Sequence, residues 1–149
     1  MSNKLPTKRE VRLLIAEDLR QEVHGKVTLV GLMPGEQFLI TGKPDANAPP
    51  NVAFAIASLG FLIVITGGEG KFKARVKVIA PGKKKTTMID VSMDKPIEKI
   101  AGRTAIFGTS AKPFVGPAFG TYTVQVELDK AKFAFPMKIE QGPTDLPSA

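Results

Sequence analysis

Apolar and charged side chains alternate strictly over residues 71–78, which read Lys-Phe-Lys-Ala-Arg-Val-Lys-Val. Successive side chains of a β-strand point to opposite faces, so this spacing puts four apolar residues on one face and four cations on the other. A helix would distribute the same cations around its axis. Turn-forming sequences flank the segment, Gly-Gly-Glu-Gly before it and Ala-Pro-Gly after it. The pattern predicts one half-buried strand of an antiparallel sheet.

The same alternation returns twice in the last third of the chain, over residues 121–129 and 132–139. Only a few residues around Asp129 and Lys130 separate the two runs, which predicts a β-hairpin. Pro136 lies in the second run and has no backbone N–H to donate to a ladder. We therefore expect the last strand to lie at a sheet edge, or to be bulged there.

Shorter apolar runs predict the remaining strands. These lie over residues 11–16, 26–33, 60–66 and 87–93, with short strands or irregular connections over 104–107 and 112–115. The run 60–66 is apolar on both faces, which favours a central or covered position. Residues 17–25 are interpreted as a polar link with room for one helical turn, and residues 45–51 as a loop. The whole chain, 1–149, is predicted to be one all-β domain, a single antiparallel β-sandwich of about eight strands, with flexible tails over 1–8 and 141–149.

Composition excludes several classes of protein. With 149 residues, 43% of them hydrophobic, the chain can bury a core without staples. It has no cysteine, so disulfides, thiolate metal sites and thiol nucleophiles are excluded. The basic N-terminus is not followed by the apolar core of a signal peptide, and the longest apolar stretch, 52–65, is shorter than the about 20 residues that a spanning helix needs. We expect a soluble, cytoplasmic protein without membrane contact.

The formal net charge of +7 favours anionic neighbours, and the alternating strand is the first candidate site. Side chains on one strand face repeat about every 6.6–6.8 Å, which is comparable to the phosphate spacing of an extended single strand. A nearby lysine turn would extend the patch. Single-strand binders also use aromatic platforms, whereas the aromatic residues here are predicted to face inward. The alternative is a solvated strand face, neutralised across the sheet by Glu127 or Glu140. The possible anion or nucleic-acid contacts are Lys71, Lys73, Arg75, Lys77, Lys83, Lys84 and Lys85.

Two further groups of residues are candidates for a metal site or a phosphate-binding loop. Glu17, Asp18 and Glu22 with the single histidine, His24, could hold a divalent metal, but polar residues are expected in a link between strands, and no nucleophile-elbow motif is present. The glycine-rich segments 67–70 and 108–112 lack the features of a phosphate loop and are predicted to be turns. We therefore expect no catalytic residue, no cofactor and no metal, and hence no enzyme.

Apolar residues are in surplus over 54–65, and Phe107, Phe114 and Phe119 add aromatic bulk. This apolar surface either lies between subunits or belongs to a central strand covered by its own loops. With no catalytic groups, the surplus favours a non-enzymatic protein-interaction or structural module. The expected partner is another protein or a second copy of the chain, and nucleic-acid binding through residues 71–77 is the alternative.

Segments in the right order along most of the chain resemble a family of uncharacterised bacterial proteins. They are Leu-Ile-Ala-Glu-Asp-Leu-Arg over 14–20, Gly-Lys-Val-Thr-Leu-Val-Gly over 25–31, Gly70, Pro81-Gly82, and Gly-Thr-Tyr-Thr-Val-Gln-Val-Glu-Leu-Asp over 120–129. The resemblance implies a β-sandwich and supplies no catalytic residue. The sandwich that the resemblance implies is immunoglobulin-like. The Gly-Thr-Tyr-Thr segment alone is not specific, because it begins a late strand in many immunoglobulin-like domains. The departures are Glu17, where the family usually has Asp, and a longer connection over 35–50.

Overall fold

Strands form wherever apolar residues alternate or run together, and a single 3-10 turn over Lys8–Glu10 precedes the first of them. The computed structural model describes residues 3–23, 26–33, 37–40 and 52–141, with only the backbone of 37–40. Thirteen strands lie within these residues. They are β1 (Val11–Gln21), β2 (Val27–Leu32), β3 (Gln37–Ile40), β4 (Phe54–Ile56), β5 (Leu59–Ile65), β6 (Gly70–Phe72), β7 (Ala74–Ile79), β8 (Thr87–Ser92), β9 (Ile97–Lys99), β10 (Ala105–Ala111), β11 (Phe114–Gly116), β12 (Gly120–Leu128) and β13 (Ala131–Gln141).

A four-stranded antiparallel sheet has the order β10-β5-β1-β2. Strand β5 lies between two neighbours and is buried at every position except the half-buried Val64. This confirms the predicted central or covered position. The register aligns Leu13, Ile63 and Phe107 across three strands, and this side of the sheet contributes to the core.

A five-stranded sheet has the order β3-β13-β12-β7-β8 and is antiparallel except for the β3–β13 pair. The predicted hairpin is confirmed as β12 and β13, which are joined tightly at Leu128 and Ala131 with Asp129 at a positive φ of 52°. Strand β3 pairs with β13 only from Lys138 onward. Among the described residues, Pro136 therefore has a strand neighbour on one side only, which agrees with the edge position expected for a proline.

The basic segment forms two strands rather than the single predicted strand. Phe72 ends β6, which pairs with β9 in a small two-stranded sheet, and Ala74 begins β7 in the five-stranded sheet. Lys73 stands between them because its backbone bonds Asp129 at the β12–β13 turn. The Lys73 N–H donates to Asp129 Oδ1 at 2.7 Å, and its carbonyl accepts from the Asp129 N–H at 2.9 Å. The predicted alternation of buried and exposed side chains persists across this break.

Two predicted connections are wrong because long-range pairing extends the strands. Strand β1 continues to Gln21, where a polar link was predicted, since it pairs with β2 as far as the Gln21–Val27 pair. Residues 108–111 belong to β10, where a turn was predicted, since they pair with β5. The strand count also exceeds the predicted number of about eight. The predicted strand 71–78 is divided into β6 and β7, and the short strands β3, β4 and β9 were not predicted.

The apolar faces of the two larger sheets contribute to one continuous core. At one end of it, Phe54 packs against three other aromatic rings, Phe114, Phe119 and Tyr122, with centroids 5.6–5.9 Å apart. The Tyr122 hydroxyl donates to the Ala118 carbonyl at 2.7 Å. Much of the aromatic surplus is therefore buried within the chain itself.

The side chain of Lys99 is buried beside a glycine-rich turn that the N-terminal segment also contacts. Lys99 is 2% exposed, and its Nζ donates to the carbonyls of Gly68 at 3.3 Å and Ile100 at 2.9 Å. The segment before the 3-10 turn lies on the same glycine-rich turn, where Lys4 and Glu69 exchange two backbone hydrogen bonds of 2.8 Å. The other predicted tail residues, 1–2 and 142–149, and the predicted loop 45–51 lie outside the described residues.

Candidate interaction surface

The four-stranded sheet has a second side, which faces away from the core and is largely apolar. Its register aligns Leu14 with Leu62, and Ile106 with Val64. It also pairs Leu32 with Ala16, which carries the apolar strip onto β2. We call this surface the outer face and define it by Leu14, Val30, Leu32, Leu62, Val64 and Ile106.

Exposure of large apolar side chains is concentrated on the outer face. Leu32 is 54% exposed, Ile106 40% and Val30 38%, and these are three of the six exposed large hydrophobic residues in the described chain. Isolated exposed leucines are ordinary on protein surfaces, whereas a contiguous apolar patch marks a contact site. Val30 and Leu32 lie two residues apart on β2, and Ile106 lies on β10 at the opposite edge of the sheet.

Two glycines on neighbouring strands leave a notch in the outer face. A Cβ on Gly60 would lie 3.0 Å from the Leu19 Cβ, and a Cβ on Gly108 would lie 2.5 Å from Leu19 Cδ2. Leu19 therefore packs over both glycines, because β1 pairs with β5 only as far as Ala16. Beside the notch is a cleft of about 340 Å³, lined by Leu19, Gln21, Glu22, Lys26, Val27, Leu62, Ile106, Phe107 and Gly108.

The charges around the outer face are mainly positive. Exposed Arg12 stands in register with Val64. Asp18 is shared by two cations, with Oδ2 at 3.0 Å from Arg20 Nε and Oδ1 at 3.2 Å from Lys112 Nζ. Hydrogen bonding to Arg20 and then to Lys112 lowers the pKa of Asp18. The Asp18 carboxylate is thus held between two cations, and the sequence alone did not indicate this grouping.

The five-stranded sheet carries charged pairs on the side that faces away from the core. Arg75 Nε lies 2.6 Å from Asp90 Oδ1, and Arg75 Nη2 lies 2.5 Å from Asp90 Oδ2. Glu127 lies 3.7 Å from Lys77 Nζ and 4.0 Å from Arg75 Nη1. The hydrogen bond from Arg75 lowers the pKa of Asp90. We call these four residues the charged face. Two of the four predicted anion contacts on this strand are thus engaged by carboxylates.

The other predicted anion contacts are distributed over separate elements. Lys71 is exposed on β6, where it pairs with Glu98 of β9, and Lys73 is exposed at the break between β6 and β7. The lysine turn of Lys83, Lys84 and Lys85 is exposed between β7 and β8. Among the described residues, these five lysines have no carboxylate within ion-pair distance. Glu140, the other acid expected to neutralise the strand, instead lies 2.7 Å from Lys138.

The acidic group near His24 is only partly described, because His24 itself lies outside the described residues. The Glu17 side chain packs over Gly31, where an added Cβ would lie 2.7 Å from Glu17 Cδ. Asp18 is held by the cations described above. In the described part of the chain, no three histidine, aspartate or glutamate side chains are grouped as metal ligands would be.

No helix in the described ranges has both the length and the apolar character needed to cross a membrane. In comparisons with known proteins, no family model matches the chain, and no curated protein sequence is significantly similar to it.

Proposed function

We propose that the chain is a non-enzymatic protein-interaction or structural module with an immunoglobulin-like β-sandwich fold. Its outer face would serve as the contact surface. The exposure of Val30 and Leu32 on β2 and of Ile106 on β10 supports this proposal most directly. Burial of apolar area is the main driving force of protein association, at about 25 cal/mol per Å² of surface removed from water. We also propose that the chain belongs to the bacterial family that its sequence resembles and that the protein is cytoplasmic.

The charges around the outer face indicate the chemistry of the partner. The cations on or beside the outer face, Arg12, Arg20, Lys26 and Lys112, outnumber the carboxylates of Asp18 and Glu22. A partner with an apolar centre and a rim of carboxylates would complement this surface, and its association would be accelerated at low ionic strength. We therefore propose that the outer face binds a protein whose contact surface has an apolar centre and acidic residues at its rim.

The test compares capture of partners from a lysate of the source organism by the wild-type chain and by Leu32→Glu. A matched control is Lys130→Glu, which changes an exposed residue of the β12–β13 turn. The protein captured is then purified and its binding measured by calorimetry at two salt concentrations. We expect binding by wild type and Lys130→Glu, at least tenfold weaker binding by Leu32→Glu, and weaker binding at high salt. Equal binding by all three chains would contradict the proposal.

Anion or nucleic-acid binding is the alternative function, and the observation in its favour is the set of five lysines that form no ion pair with any described residue. Gel-shift titration of Lys83→Glu/Lys85→Glu and of wild type, at two salt concentrations, tests it. If this alternative is correct, wild-type binding falls steeply with salt and the variant binds more weakly.

A further inference from the structure

Strand β8 is the outermost strand of the five-stranded sheet, and no described residue pairs with its far edge. An unpaired edge presents backbone donors and acceptors to any strand that can align with it. The other outermost strands of the two larger sheets are less regular or less open. Strand β2 contains Gly31 at a φ of 67°, β3 has only four residues, and β10 lies against β9.

The direction of the free backbone groups follows from one hydrogen bond. The Met93 N–H donates to the Ala74 carbonyl of β7 at 2.9 Å, in the same register that pairs Val91 with Val76. In an antiparallel pair, these groups alternate between the two sides of a strand. The N–H and C=O groups of Asp90 and Ser92 therefore point away from β7, toward the free edge.

We propose that this edge pairs with the same edge of a second copy of the chain, in antiparallel register about Val91. The register of the β7–β8 pair shifts between Val78 and Ile79, near the lysine turn. The part of β8 around Val91 is therefore regular and can pair with a second strand. Asp90 and Ser92 of each copy would exchange backbone hydrogen bonds. The result is a continuous ten-stranded sheet across the two copies.

Avoidance of like charges favours this register for two copies of the chain. On the charged face, Ser92 stands beside Arg75 and Asp90 stands beside Lys77 within each copy. Pairing about Val91 places Asp90 of one copy opposite Ser92 of the other, so that no like charges stand directly opposite one another. The two Asp90 side chains become diagonal neighbours, each paired with Arg75 of its own copy. Pairing about Asp90 would bring two carboxylates directly opposite one another, which is destabilising.

The core-facing side of β8 supports the same register. Ile89 and Val91 are half-buried and lie beside buried Val78 and Val76 of β7. Met93 is also half-buried and packs against the core. Pairing about Val91 sets Val91 against its own copy and Ile89 against Met93, so apolar side chains left half-exposed in one chain would be covered by the other.

Because the chain has no cysteine, a single introduced cysteine can report this register by forming a disulfide between two copies. Val91→Cys would place two thiols at a non-hydrogen-bonded pair with Cα atoms about 4.5 Å apart, within the range that a disulfide spans. We expect this variant to oxidise to a disulfide-linked dimer much faster than Ile89→Cys or Asp90→Cys. Faster dimerisation of either of those two variants would overturn the proposed register.

A second experiment separates the edge from its charges. Proline at position 90 removes an N–H that faces the seam and leaves the β7–β8 hydrogen bonds in place, as proline does on natural edge strands. Asp90→Ala is the matched control, because it loses the same ion pair with Arg75 and keeps the N–H. We expect sedimentation equilibrium to show a dimer for wild type and Asp90→Ala, and a monomer for Asp90→Pro.

The two proposals fail independently, because they use different surfaces. A wild-type chain that stays monomeric at about 1 mM overturns the β8 pairing and leaves the outer face untouched. A dimer that Leu32→Glu dissociates and Asp90→Pro does not would place self-association on the outer face instead, and would also overturn the β8 pairing.

Discussion

The two larger sheets share one core but present opposite surfaces to their surroundings. On the outer face of the four-stranded sheet, Leu32 and Ile106 are exposed, and Arg12, Asp18 and Arg20 lie among the apolar side chains. On the charged face of the five-stranded sheet, Arg75 and Lys77 are held by Asp90 and Glu127. Both sheets contribute their other side to the core, so core formation does not account for the different character of their outward sides.

This contrast shows that net charge is a poor guide to where exposed apolar side chains lie on such a protein. The chain has a net charge of +7, and its most regular basic strand is the first anion-binding site that the sequence suggests. Two cations of that strand are engaged within their own sheet. The outer face, in contrast, has apolar side chains that remain in contact with water in the isolated chain, and their burial would stabilise a complex.

The largest expected effect comes from filling the notch of the outer face. Gly108→Val would place a Cβ 2.6 Å from the Phe61 carbonyl oxygen and 2.5 Å from Leu19 Cδ2, so the backbone or Leu19 must move. We expect a loss of about 3 kcal/mol in the free energy of unfolding, measured in urea. Ser110→Val, which is exposed on the same strand, is the control and should change stability by less than about 0.5 kcal/mol. Equal losses would contradict this account of the notch.

A smaller effect is expected from neutralising the charged face. Glu127→Gln removes the carboxylate nearest to Lys77 and should cost about 1 kcal/mol at low salt. Because salt screens surface charges, the loss should shrink in 1 M sodium chloride, whereas the loss from Gly108→Val should persist. Lys130→Gln, outside these pairs, provides the comparison. A loss from Glu127→Gln that is independent of salt would show that packing, not charge, holds this face.

Acid should weaken both faces through one carboxylate each. The folded-state pKa values of Asp90 and Asp18 are lowered by their hydrogen bonds to Arg75 and Arg20. A lowered pKa contributes stability that is fully present above the unfolded-state value, about pH 4, and is lost as the pH falls through the folded-state value. Asp90→Asn and Asp18→Asn should therefore be less stable than wild type at pH 7 and approach it in strong acid. Urea unfolding at several pH values measures this, and a stability gap that stays constant down to pH 2 would contradict it.

The smallest effect on stability is expected where the effect on binding is largest. Leu32→Gln replaces a side chain that is 54% exposed, so the free energy of unfolding should change by less than about 0.5 kcal/mol. Thermal unfolding measures the first quantity, and calorimetry with the captured partner measures the second. Destabilisation by more than 1 kcal/mol would indicate that Leu32 serves the fold rather than a partner.

The sequence predicted best what depends on neighbouring residues. Alternation located β7, β12 and β13 and assigned Phe72, Val76 and Val124 to the core, because strand geometry alone fixes which side chains share a face. The low sequence separation of the hairpin made its pairing predictable as well. The all-β class followed from these segments.

What the sequence did not predict depends on distant partners. Lys73 leaves the ladder because Asp129, 56 residues later, bonds its backbone, and residues 108–111 form a strand because β5 lies beside them. On the charged face, the expected neutraliser Glu127 was found beside Lys77. The pairing of Arg75 with Asp90, in contrast, needed the β7–β8 register. The outer face could not be recognised in advance, because its residues come from four strands.

The contact between the start of the chain and the glycine-rich turn has a practical consequence for anyone who shortens this protein. Residues 3–6 are easily mistaken for a dispensable leader, yet Lys4 and Pro6 lie against Gly68, whose carbonyl receives the ammonium of Lys99. Trimming them would remove a support for that carbonyl and admit water to a cation that the fold has dehydrated. A trimmed protein should then be more readily cleaved by proteases near residue 68.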